Sequence, residues 1–515
     1  MRLPRVAVLG GGPGGLYAAR LVKLADPGSQ VDVYEQGLPD KTFGFGVGLA
    51  AGTQRNLRAA DAPTLDDILR RGWPHDMSLR VGGQVARLPN THVSAIGRAT
   101  LLAILQQRAA DAGVGLHFGT RAAADGADAD LVIAADGIGS ATRAALAGRL
   151  GVRIDTGTGL YLWCGTDFAL DGAVFAPVTT SHGTFVTHAY PYAPDRSTFL
   201  IETDEQTWRR AGFDATTDAT PPDESDQQSL AYLQEAFREP LRGHALIGNR
   251  TRWLRFRTVR CERWHHGRVV LLGDAAHTAH YSIGSGTKLA MEDAIALVAA
   301  LREASTLERA LQAFEAGRRP AVEHLQAVAA RSQRWWESFP QRMHLPVNQL
   351  LVSYMTRAGK VSLPRFADST PQAVRQSLAD YAGAGAGQVT GDDVVDWVIS
   401  QPLPLDHGIV PRRTSPLPGP VADVEVSEPD AWGTTADGLV GQVAGLLAGG
   451  AAAVRLTGPG DRDSVLDRLD LAERLRLDLG ATVIVRAPDR YRADLAAGLV
   501  SARTDLIDTA DREVP

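Results

Sequence analysis

The sequence predicts an α/β protein in which one domain of alternating strands and helices carries a second, inserted β-sheet domain. Three observations favour this fold. A glycine-rich turn joins the first strand to the first helix, apolar strands alternate with helical segments, and short aromatic segments interrupt that alternation. A chain of 515 residues, of which 44% are hydrophobic, exceeds what one core accommodates, so we expect two or three packed units.

The first predicted element is a βαβ unit. The strand Arg5–Leu9 runs into the turn GGGPGG, a helical segment follows, and a second strand closes with Glu35. Gly10, Gly12 and Gly15 match G-x-G-x-x-G, in which backbone N–H groups at a helix N-terminus approach a pyrophosphate. Glu35 follows Gly15 by 20 residues, where a carboxylate can hydrogen-bond a ribose diol. The context therefore indicates a Rossmann-like dinucleotide-binding turn.

The next elements extend this domain. The segment FGFGVGLAAGTQ, residues 43–54, is glycine-rich and aromatic, and it predicts a loop close to a ligand. Apolar residues at i, i+3 and i+4 spacing predict a helix from Arg98 to Gly113. The apolar run Leu131–Ala134 predicts a buried strand.

From about Leu160 to Arg263 the pattern is that of a mixed or antiparallel sheet. Its strands include LYLWCG, GTFVTHAYPY, STFLIET and RTRWLRFRTVR, and its interior includes an acid-rich loop, TTDATPPDESDQQS. The dinucleotide-binding pattern returns at the strand Val269–Leu272, and helices follow at about Lys288–Leu301 and Thr306–Phe339. The second of these helices is long enough to brace the two domains.

After about Ala382 the composition becomes that of a linker, rich in Gly and Pro, and alternating helices and strands then predict a small α/β module. The predicted domains are residues 1–160 with 264–340 for the nucleotide-binding domain, 161–263 for a substrate-binding sheet, 341–400 for a helical segment and linker, and 401–515 for the module.

Two further segments have the pattern of a strand that ends at an acidic turn. In IAADGIGSATR the strand ends in Asp136-Gly137, and in VLLGDAAH it ends in Gly273-Asp274, before the glycine-rich segment SIGSGTKLAMEDA. Asp274 is predicted at the carboxyl end of a parallel strand, where α/β sheets place their ligands, and it can accept a hydrogen bond from a polyol.

Together, in this order and spacing, the three segments resemble the single-component flavoprotein monooxygenases, the aromatic hydroxylases of the para-hydroxybenzoate hydroxylase type. The resemblance covers roughly the first 340 residues. It implies bound FAD, transient NADH or NADPH, and O₂ as co-substrate. The residues that it implies for the cofactor are Gly10, Gly12, Gly14, Gly15, Glu35, Gln36, Phe45, Arg98, Asp136, Gly273, Asp274, Gly284, Gly286 and Thr287.

Within that family the segment GDAAHTAHYSIGSGTKLAMEDAIALVAAL is similar to the aryl-CoA branch, which includes salicylyl-CoA 5-hydroxylase and 2-aminobenzoyl-CoA monooxygenase/reductase. The branch implies hydroxylation of an aromatic acyl-CoA thioester through a flavin C4a-hydroperoxide. The C-terminal module resembles a truncated (β/α)₈ barrel, the remnant of a domain of the old yellow enzyme type. A full barrel takes roughly 250 residues, whereas only about 130 residues follow Ala382 in this chain. We therefore expect no flavin chemistry from this module.

The candidate catalytic residues are His277, His280 and Tyr281, on the segments predicted to flank the flavin ring. Tyr281, Arg250 and Arg252 are candidates for substrate binding, because guanidinium groups suit the phosphates of CoA. Strand alternation, however, sends Arg255 to the face opposite to Arg250 and Arg252, which favours a solvated strand over one convergent site.

Several functions stay open at this stage. The enzyme could oxygenate the CoA thioester of a tropone- or tropolone-type ring and insert one or both atoms of O₂. It could instead hydroxylate a free aromatic compound. A third alternative is a flavin-binding scaffold without oxygenase activity. The Trp-x-Trp-x-Ile-Pro segment of flavin halogenases is absent from the sequence.

Composition excludes other classes. A net charge of -6 argues against general nucleic-acid binding, and no stretch of about 18 uncharged apolar residues predicts a membrane span. The start of the chain has no signal-peptide pattern, so we expect a cytoplasmic protein. Cys164 and Cys261 have no metal-ligand spacing, and we expect no metal and reduced, structural thiols. The expected partner is a small molecule, bound by a monomer or homodimer.

Overall fold

A computed structural model of the chain describes residues 3–39, 42–89, 93–389, 393–405, 408–427 and 430–509. These residues belong to two compact units. The first comprises Met1–Ser78 and Asn90–Gln333, and the second comprises Leu79–Pro89 and Arg334–Pro515. The predicted nucleotide-binding and substrate-binding domains thus lie mostly in the first unit, and the predicted division into four parts stays a prediction.

The elements are numbered in chain order. The strands are β1 (Arg5–Leu9), β2 (Gln30–Glu35), β3 (Gly46–Leu49), β4 (Trp73–Pro74), β5 (Met77–Val81), β6 (Gln84–Leu88), β7 (Ser94–Gly97), β8 (Gly115–Phe118), β9 (Leu131–Ala134), β10 (Val152–Thr166), β11 (Ala173–Thr180), β12 (Gly183–Ala193), β13 (Arg196–Thr203), β14 (Leu246–Ile247), β15 (Leu254–Cys261), β16 (His265–His266), β17 (Val269–Leu271), β18 (Leu403–Leu405), β19 (Gly408–Val410), β20 (Val421–Glu425), β21 (Ala453–Thr457), β22 (Val483–Arg486) and β23 (Leu506–Asp508).

The α-helices are α1 (Pro13–Ala25), α2 (Ala51–Arg70), α3 (Arg98–Asp111), α4 (Ala141–Ala145), α5 (Ala147–Leu150), α6 (Glu205–Arg210), α7 (Phe213–Ala219), α8 (Gln227–Ala236), α9 (Arg238–Leu241), α10 (Gly286–Glu303), α11 (Leu307–Glu337), α12 (Val347–Thr356), α13 (Leu363–Ser369), α14 (Pro371–Ala382), α15 (Val394–Ser400), α16 (Asp437–Ala448), α17 (Arg462–Leu479) and α18 (Arg492–Val500). Short 3₁₀ turns occur at Gly273–Ala275, Tyr281–Ile283, Phe339–Arg342, Ala386–Gln388, Thr434–Ala436 and Asp489–Tyr491.

The first unit is built on a six-stranded sheet of order β16-β17-β9-β1-β2-β8. The pairings from β17 to β8 are parallel, and β16 is antiparallel to β17. The predicted βαβ unit and the predicted strands around Ile133 and Val270 are therefore confirmed. Their apolar runs are buried because helices cover the sheet, as in other parallel sheets. Since the strands run in parallel, the turns that follow β1, β9 and β17 meet at one edge of the sheet.

The inserted sheet is antiparallel, which is one of the two forms, mixed or antiparallel, that the sequence predicted. Strand β10 pairs with β13, β14 and β15, and β12 pairs with β11 and β13. One face packs a core of Leu162, Phe199 and Ile201 against helical residues such as Phe213 and Leu233. Those helices, α6 to α9, were missed from the sequence because each is short, at most ten residues.

Three local predictions were wrong in part. Residues 43–54 are not all loop, because β3 pairs with β7 and α2 begins at Ala51. The acid-rich segment 216–229 is not one loop, since α7 and α8 take up both of its ends. The strand predicted at 250–260 begins only at Leu254, since Arg250 has a left-handed φ of 54° that a strand does not allow.

The second unit contains a hairpin of β18 and β19 and a parallel sheet of order β20-β21-β22-β23. Its parallel α/β pattern confirms the predicted α/β module. The strands stand in sequence order, as neighbouring barrel strands do, but the described strands form an open four-stranded sheet. The barrel ancestry of this module stays a prediction, and so does the bracing role of α11. None of the helices in the described ranges is both long and apolar enough to cross a membrane.

Candidate active site

The glycine turn after β1 is shaped by close backbone approaches. Gly10 has a φ of +105° and donates its N–H to the carbonyl oxygen of Tyr34 at 2.8 Å. A Cβ on Gly10 would overlap the carbonyl oxygen of Ala135, and a Cβ on Gly15 would overlap that of Gly10. These two positions need glycine for the turn itself, because no side chain fits there.

Gly14 and Gly12 have different surroundings. A Cβ on Gly14 would lie 2.7 Å from Leu272 Cδ2 and 2.9 Å from Ala290 Cβ, so Gly14 lets α1 pack against α10. A Cβ on Gly12 would meet nothing within 4 Å. The space beside Gly12, at the N-terminus of α1, is therefore open to a ligand.

Glu35 ends β2 beside this turn. Its Oε2 accepts the N–H of Gly11 at 2.7 Å, and its Oε1 accepts the N–H of Gly37 at 2.6 Å. The carboxylate thus fixes the turn against the end of β2. Gln36, the next predicted residue, is exposed.

The turn after β9 is capped by its own aspartate. Asp136 Oδ1 accepts the hydroxyl of Ser140 at 2.6 Å, and Oδ2 accepts the backbone N–H of Thr142 at 3.1 Å. Ser140 in turn accepts the N–H of Arg143 as the N-cap of α4. Asp136 therefore sets the conformation of the turn, which presents Gly137 to the cavity described below.

Arg143 joins the two acidic turns, a role that the sequence did not suggest. Its side chain is buried and donates to the carbonyl oxygens of Asp274 at 3.2 Å and Ala275 at 2.9 Å, and it also contacts that of Ile138. The guanidinium donors of one residue thus hold the turns after β9 and β17 together.

The side chain of Asp274 faces a cavity that is enclosed by other parts of the protein. The side chain is accessible because it lines a cavity. Desolvation by the surrounding protein raises the pKa of Asp274, and Asp293 adds to this, whereas His277, Arg98 and Arg143 act to lower it. A carboxylate held in this way is suited to accept hydrogen bonds from a ligand.

His277 lies on the core side of the same turn. It is 2% exposed, packs on Trp264 with ring centroids 4.8 Å apart, and its Nε2 lies 2.7 Å from Asp293 Oδ2. The other oxygen, Asp293 Oδ1, accepts Arg318 Nε at 2.6 Å, and Oδ2 also accepts the N–H of Gly273. This buried network positions the Gly273-Asp274 turn, and a catalytic role for His277 stays a prediction.

Arg98 begins α3 and faces the same cavity. Its backbone N–H donates to Phe45 O at 2.7 Å, and its Nη1 donates to Phe43 O at 3.2 Å, which anchors the segment before β3. Its guanidinium carbon lies 5.5 Å from the ring centroid of Trp163, and its buried Nε has no hydrogen-bond partner among the described residues.

A cavity of about 200 Å³ brings most of these groups together. The predicted cofactor residues that line it are Gly12, Gly14, Gly15, Arg98, Gly273, Asp274, Gly286 and Thr287. They are joined by Pro13, Thr42, Val47, Leu101, Leu102, Ala135, Gly137, Leu272 and Ala290. Gly10 and Asp136 lie in the turns after β1 and β9, Glu35 ends β2, and Gly284 follows the 3₁₀ turn at Tyr281–Ile283, two residues before Gly286. Three helix N-termini, those of α1, α3 and α10, contribute residues to the cavity.

The inserted sheet presents an aromatic surface next to Arg98. The ring of Tyr281 packs edge-on against Tyr161 at 4.9 Å and Trp163 at 5.6 Å. His280 is buried and packs on Phe256 at 4.9 Å, with its Nδ1 2.9 Å from Ser282 Oγ. The candidates His280 and Tyr281 thus lie together on this surface, apart from His277.

Phe45 and the arginine candidates occupy other places. Phe45 packs closely on Gly165, where a Cβ would overlap its ring. Arg250 is exposed, and Arg252 donates to the carbonyl oxygen of Thr217 in α7 at 3.2 Å. Arg252 therefore packs against α7, and the role of both arginines in substrate binding stays a prediction.

Both cysteines are free and buried. Burial raises the pKa of the Cys164 thiol, and it raises that of Cys261 to about 11. Both thiols are therefore protonated near neutral pH and pack as apolar groups.

Comparisons with known proteins agree with this geometry. A family model described as FAD binding domain matches residues 4–329. Salicyloyl-CoA 5-hydroxylase from Streptomyces sp is 42% identical over 368 residues, which are 70% of each chain. 3-Hydroxy-4-methyl-anthranilyl-[aryl-carrier protein] 5-monooxygenase from Streptosporangium sibiricum is 39% identical over 70% of this chain and 95% of that protein.

The fold has solved counterparts. The tetrameric form of 2-methyl-3-hydroxypyridine-5-carboxylic acid oxygenase matches with a TM-score of 0.53 and 20% sequence identity. The match covers 73% of this chain and 97% of that protein. The shared fold therefore extends over nearly the whole length of that oxygenase.

Proposed function

The chain belongs to the FAD binding domain family and is an FAD-dependent aromatic monooxygenase, and on this basis we propose that its substrate is an aromatic acid carried as a thioester. One observation carries this proposal. Two relatives at 42% and 39% identity are both named for an aryl group on a thioester carrier, coenzyme A in one and a carrier protein in the other. The ring is hydroxylated while the carboxyl carbon stays linked to its carrier.

The cavity fits the cofactor on three counts. Open space beside Gly12 at the N-terminus of α1 would receive the pyrophosphate, and Glu35 beside it would bind the adenosine ribose. The accessible carboxylate of Asp274 would accept hydrogen bonds from the hydroxyl groups of the ribityl chain. Gly286 and Thr287, at the N-terminus of α10, would lie nearest the ring system. When bound and reduced by NADH or NADPH, FAD activates O₂ for transfer of one oxygen atom.

The residues of the chain then have separate tasks. The aromatic surface of Tyr161, Trp163 and Tyr281 excludes water and packs against the substrate ring. His280 lies beside Tyr281, with ring centroids 4.1 Å apart, and is the candidate for moving a proton at the ring. Arg250 and Arg252 are the candidates for the phosphates of a CoA carrier.

The substrate class is tested by flavin-dependent turnover. We expect salicyloyl-CoA or 2-aminobenzoyl-CoA to stimulate NADH or NADPH oxidation by the purified holoprotein, with one atom from ¹⁸O₂ in the product. Free salicylate and 2-aminobenzoate are the matched controls and are expected to be inactive. Stimulation by the free acids alone would contradict the thioester proposal.

Other outcomes identify the alternatives. Two labelled oxygen atoms in the product would indicate a dioxygenase, and activity with tropone-type thioesters but not benzenoid ones would indicate a non-benzenoid substrate. If the holoprotein keeps its flavin but oxidises neither NADH nor NADPH with any aryl thioester, the chain is a flavin-binding scaffold.

Asp274→Asn is expected to separate cofactor binding from stability. FAD affinity should fall about tenfold, because hydrogen bonds to a charged group are stronger than those to an amide. The apoprotein should melt at the same or a higher temperature, because a carboxyl group whose pKa is raised in the folded chain does not stabilise that chain through its charge. Isothermal titration with FAD and thermal unfolding of the apoprotein measure the two effects. Asp155→Asn, at an exposed position of β10, is the control, and unchanged FAD affinity in Asp274→Asn would exclude the proposed contact.

A further inference from the structure

One face of the inserted sheet carries polar groups that the proposed function does not yet use. In the register of the sheet, Tyr161 of β10 lies opposite Glu202 of β13, and Trp163 lies opposite Leu200, which in turn lies opposite His188 of β12. Residues directly opposite each other share a face. These five residues form one surface, which we call the ring surface, and the alternate residues Leu162 and Phe199 belong to the core on the other face.

Glu202 is an unusual residue on such a surface. It is 9% exposed, and its Oε2 lies 3.4 Å from His188 Nε2. Its Oε1 is buried and has no hydrogen-bond partner among the described residues. A buried carboxylate oxygen without a partner is costly, so its presence indicates a ligand that supplies the missing donor.

The charge of Glu202 is stabilised by its neighbours. Burial acts to raise its pKa, but the neighbouring His188, His280 and Tyr281 side chains together hold that pKa below its usual range. The side chain is therefore an ionised carboxylate, which accepts hydrogen bonds and cannot donate them.

The aromatic members of the ring surface connect Glu202 to the cofactor cavity. Tyr281 packs on Tyr161 and Trp163, and Arg98, which lines the cavity, lies over the Trp163 ring. The Nε1 of Trp163 is also buried without a hydrogen-bond partner among the described residues. An unpartnered acceptor and an unpartnered donor thus flank aromatic rings beside the cavity.

We propose that Glu202 determines which aromatic ring the enzyme accepts, by taking a hydrogen bond from a hydroxyl or amino group on that ring. Trp163 Nε1 donates to an oxygen atom of the same substrate, and His188 keeps the Glu202 carboxylate in place. This inference rests on the proposed function, since it assigns the ring-binding part of the same site. An ether or a hydrogen atom in place of the hydroxyl group leaves Oε1 desolvated and unpartnered, so such rings are rejected.

The test measures ring preference by ligand binding. Holoprotein is titrated with salicyloyl-CoA, 2-methoxybenzoyl-CoA and benzoyl-CoA, and Kd is read from the perturbation of the flavin absorbance spectrum. We expect the wild type to bind salicyloyl-CoA at least about tenfold more tightly than the other two, the size expected for a hydrogen bond to a charged group. In Glu202→Gln we expect this preference to fall about tenfold, with the Kd of benzoyl-CoA unchanged.

Two further variants keep the result interpretable. Glu205→Gln changes a partly exposed glutamate three residues away and is expected to keep the wild-type preference. Glu202→Leu removes the buried charge altogether and is expected to bind benzoyl-CoA at least as well as salicyloyl-CoA. A retained flavin spectrum shows that each variant is folded, and a change in a ratio of Kd values is not produced by a purely structural defect.

The free acids salicylate, 2-methoxybenzoate and benzoate are titrated in parallel. If only the free acids perturb the flavin, the thioester proposal fails, and the same preference, lost in Glu202→Gln, still supports the role of Glu202. The inference is overturned if the wild type shows no preference for the hydroxylated ring in either series. It is equally overturned if Glu202→Gln and Glu202→Leu both keep that preference.

Discussion

Gly12→Ala is expected to give a folded protein that binds FAD at least about 100-fold more weakly, a change of roughly 2.7 kcal/mol. A methyl group at this position meets no protein atom within 4 Å, so the apoprotein accommodates it. Only a ligand that approaches the backbone at the N-terminus of α1 would collide with it. FAD titration and thermal unfolding of the apoprotein measure the two properties separately.

Two other glycines serve as controls. Gly10→Ala places its methyl group against the backbone of Ala135 at a φ of +105°, so we expect it to destabilise the apoprotein as well as to lose FAD. Gly148→Ala, in the short helix α5, has open space around it and is expected to change neither property. Wild-type FAD affinity in Gly12→Ala would mean that the pyrophosphate binds elsewhere.

The contrast between Gly12 and Gly10 shows what a local motif predicts. The glycine turn, Glu35 and the strands that carry Asp136 and Asp274 were predicted correctly in position, because each depends on a few neighbouring residues and on the period of an apolar run. The separate roles of the glycines were not predicted, because they depend on Ala135, Leu272 and Ala290, which are distant in sequence.

The inserted sheet shows the same limit. Its strands are visible from composition, and alternation in LYLWCG already places Tyr161 and Trp163 on one face. Glu202 is the acidic residue in the otherwise uncharged segment STFLIET, but composition alone does not show what an acidic residue at this position contacts. Strand β13 pairs with its neighbour β12 across a short turn, which brings Glu202 near His188, but its pairing with β10, which brings Glu202 to Tyr161, is a long-range property.

His277 illustrates how a motif residue can be placed correctly and interpreted incompletely. The segment GDAAH put it at the predicted turn, where a histidine is a natural candidate for proton transfer. Its partner, Asp293, stands 16 residues later in α10, within the segment SIGSGTKLAMEDA. Helix periodicity shows that Asp293 is in a helix, but only the packing of α10 shows that its carboxylate turns inward to His277, Arg318 and the N–H of Gly273.

Asp293→Asn is therefore expected to be strongly destabilising. The wild-type carboxylate is fully buried and pairs with both His277 and Arg318, so an amide at this position leaves the Arg318 guanidinium without its closest charge partner. Breaking a buried pair in this way costs about 3–5 kcal/mol, which we expect to lower the melting temperature of the holoprotein by several degrees. FAD affinity should fall too, because Asp293 also holds the turn that carries Asp274.

The pH dependence of this stabilisation has a definite sign. His277 and Arg318 outweigh desolvation and hold the pKa of Asp293 below its usual range. A carboxyl group with a lowered folded-state pKa stabilises the protein above its unfolded pKa of about 3.9 and loses that contribution as the pH falls further. The difference in stability between wild type and Asp293→Asn should thus shrink as the pH falls below roughly 4. Glu303→Gln, at an exposed position of α10, is the control, and an equal melting temperature of Asp293→Asn and wild type would show that the network does not support the turn.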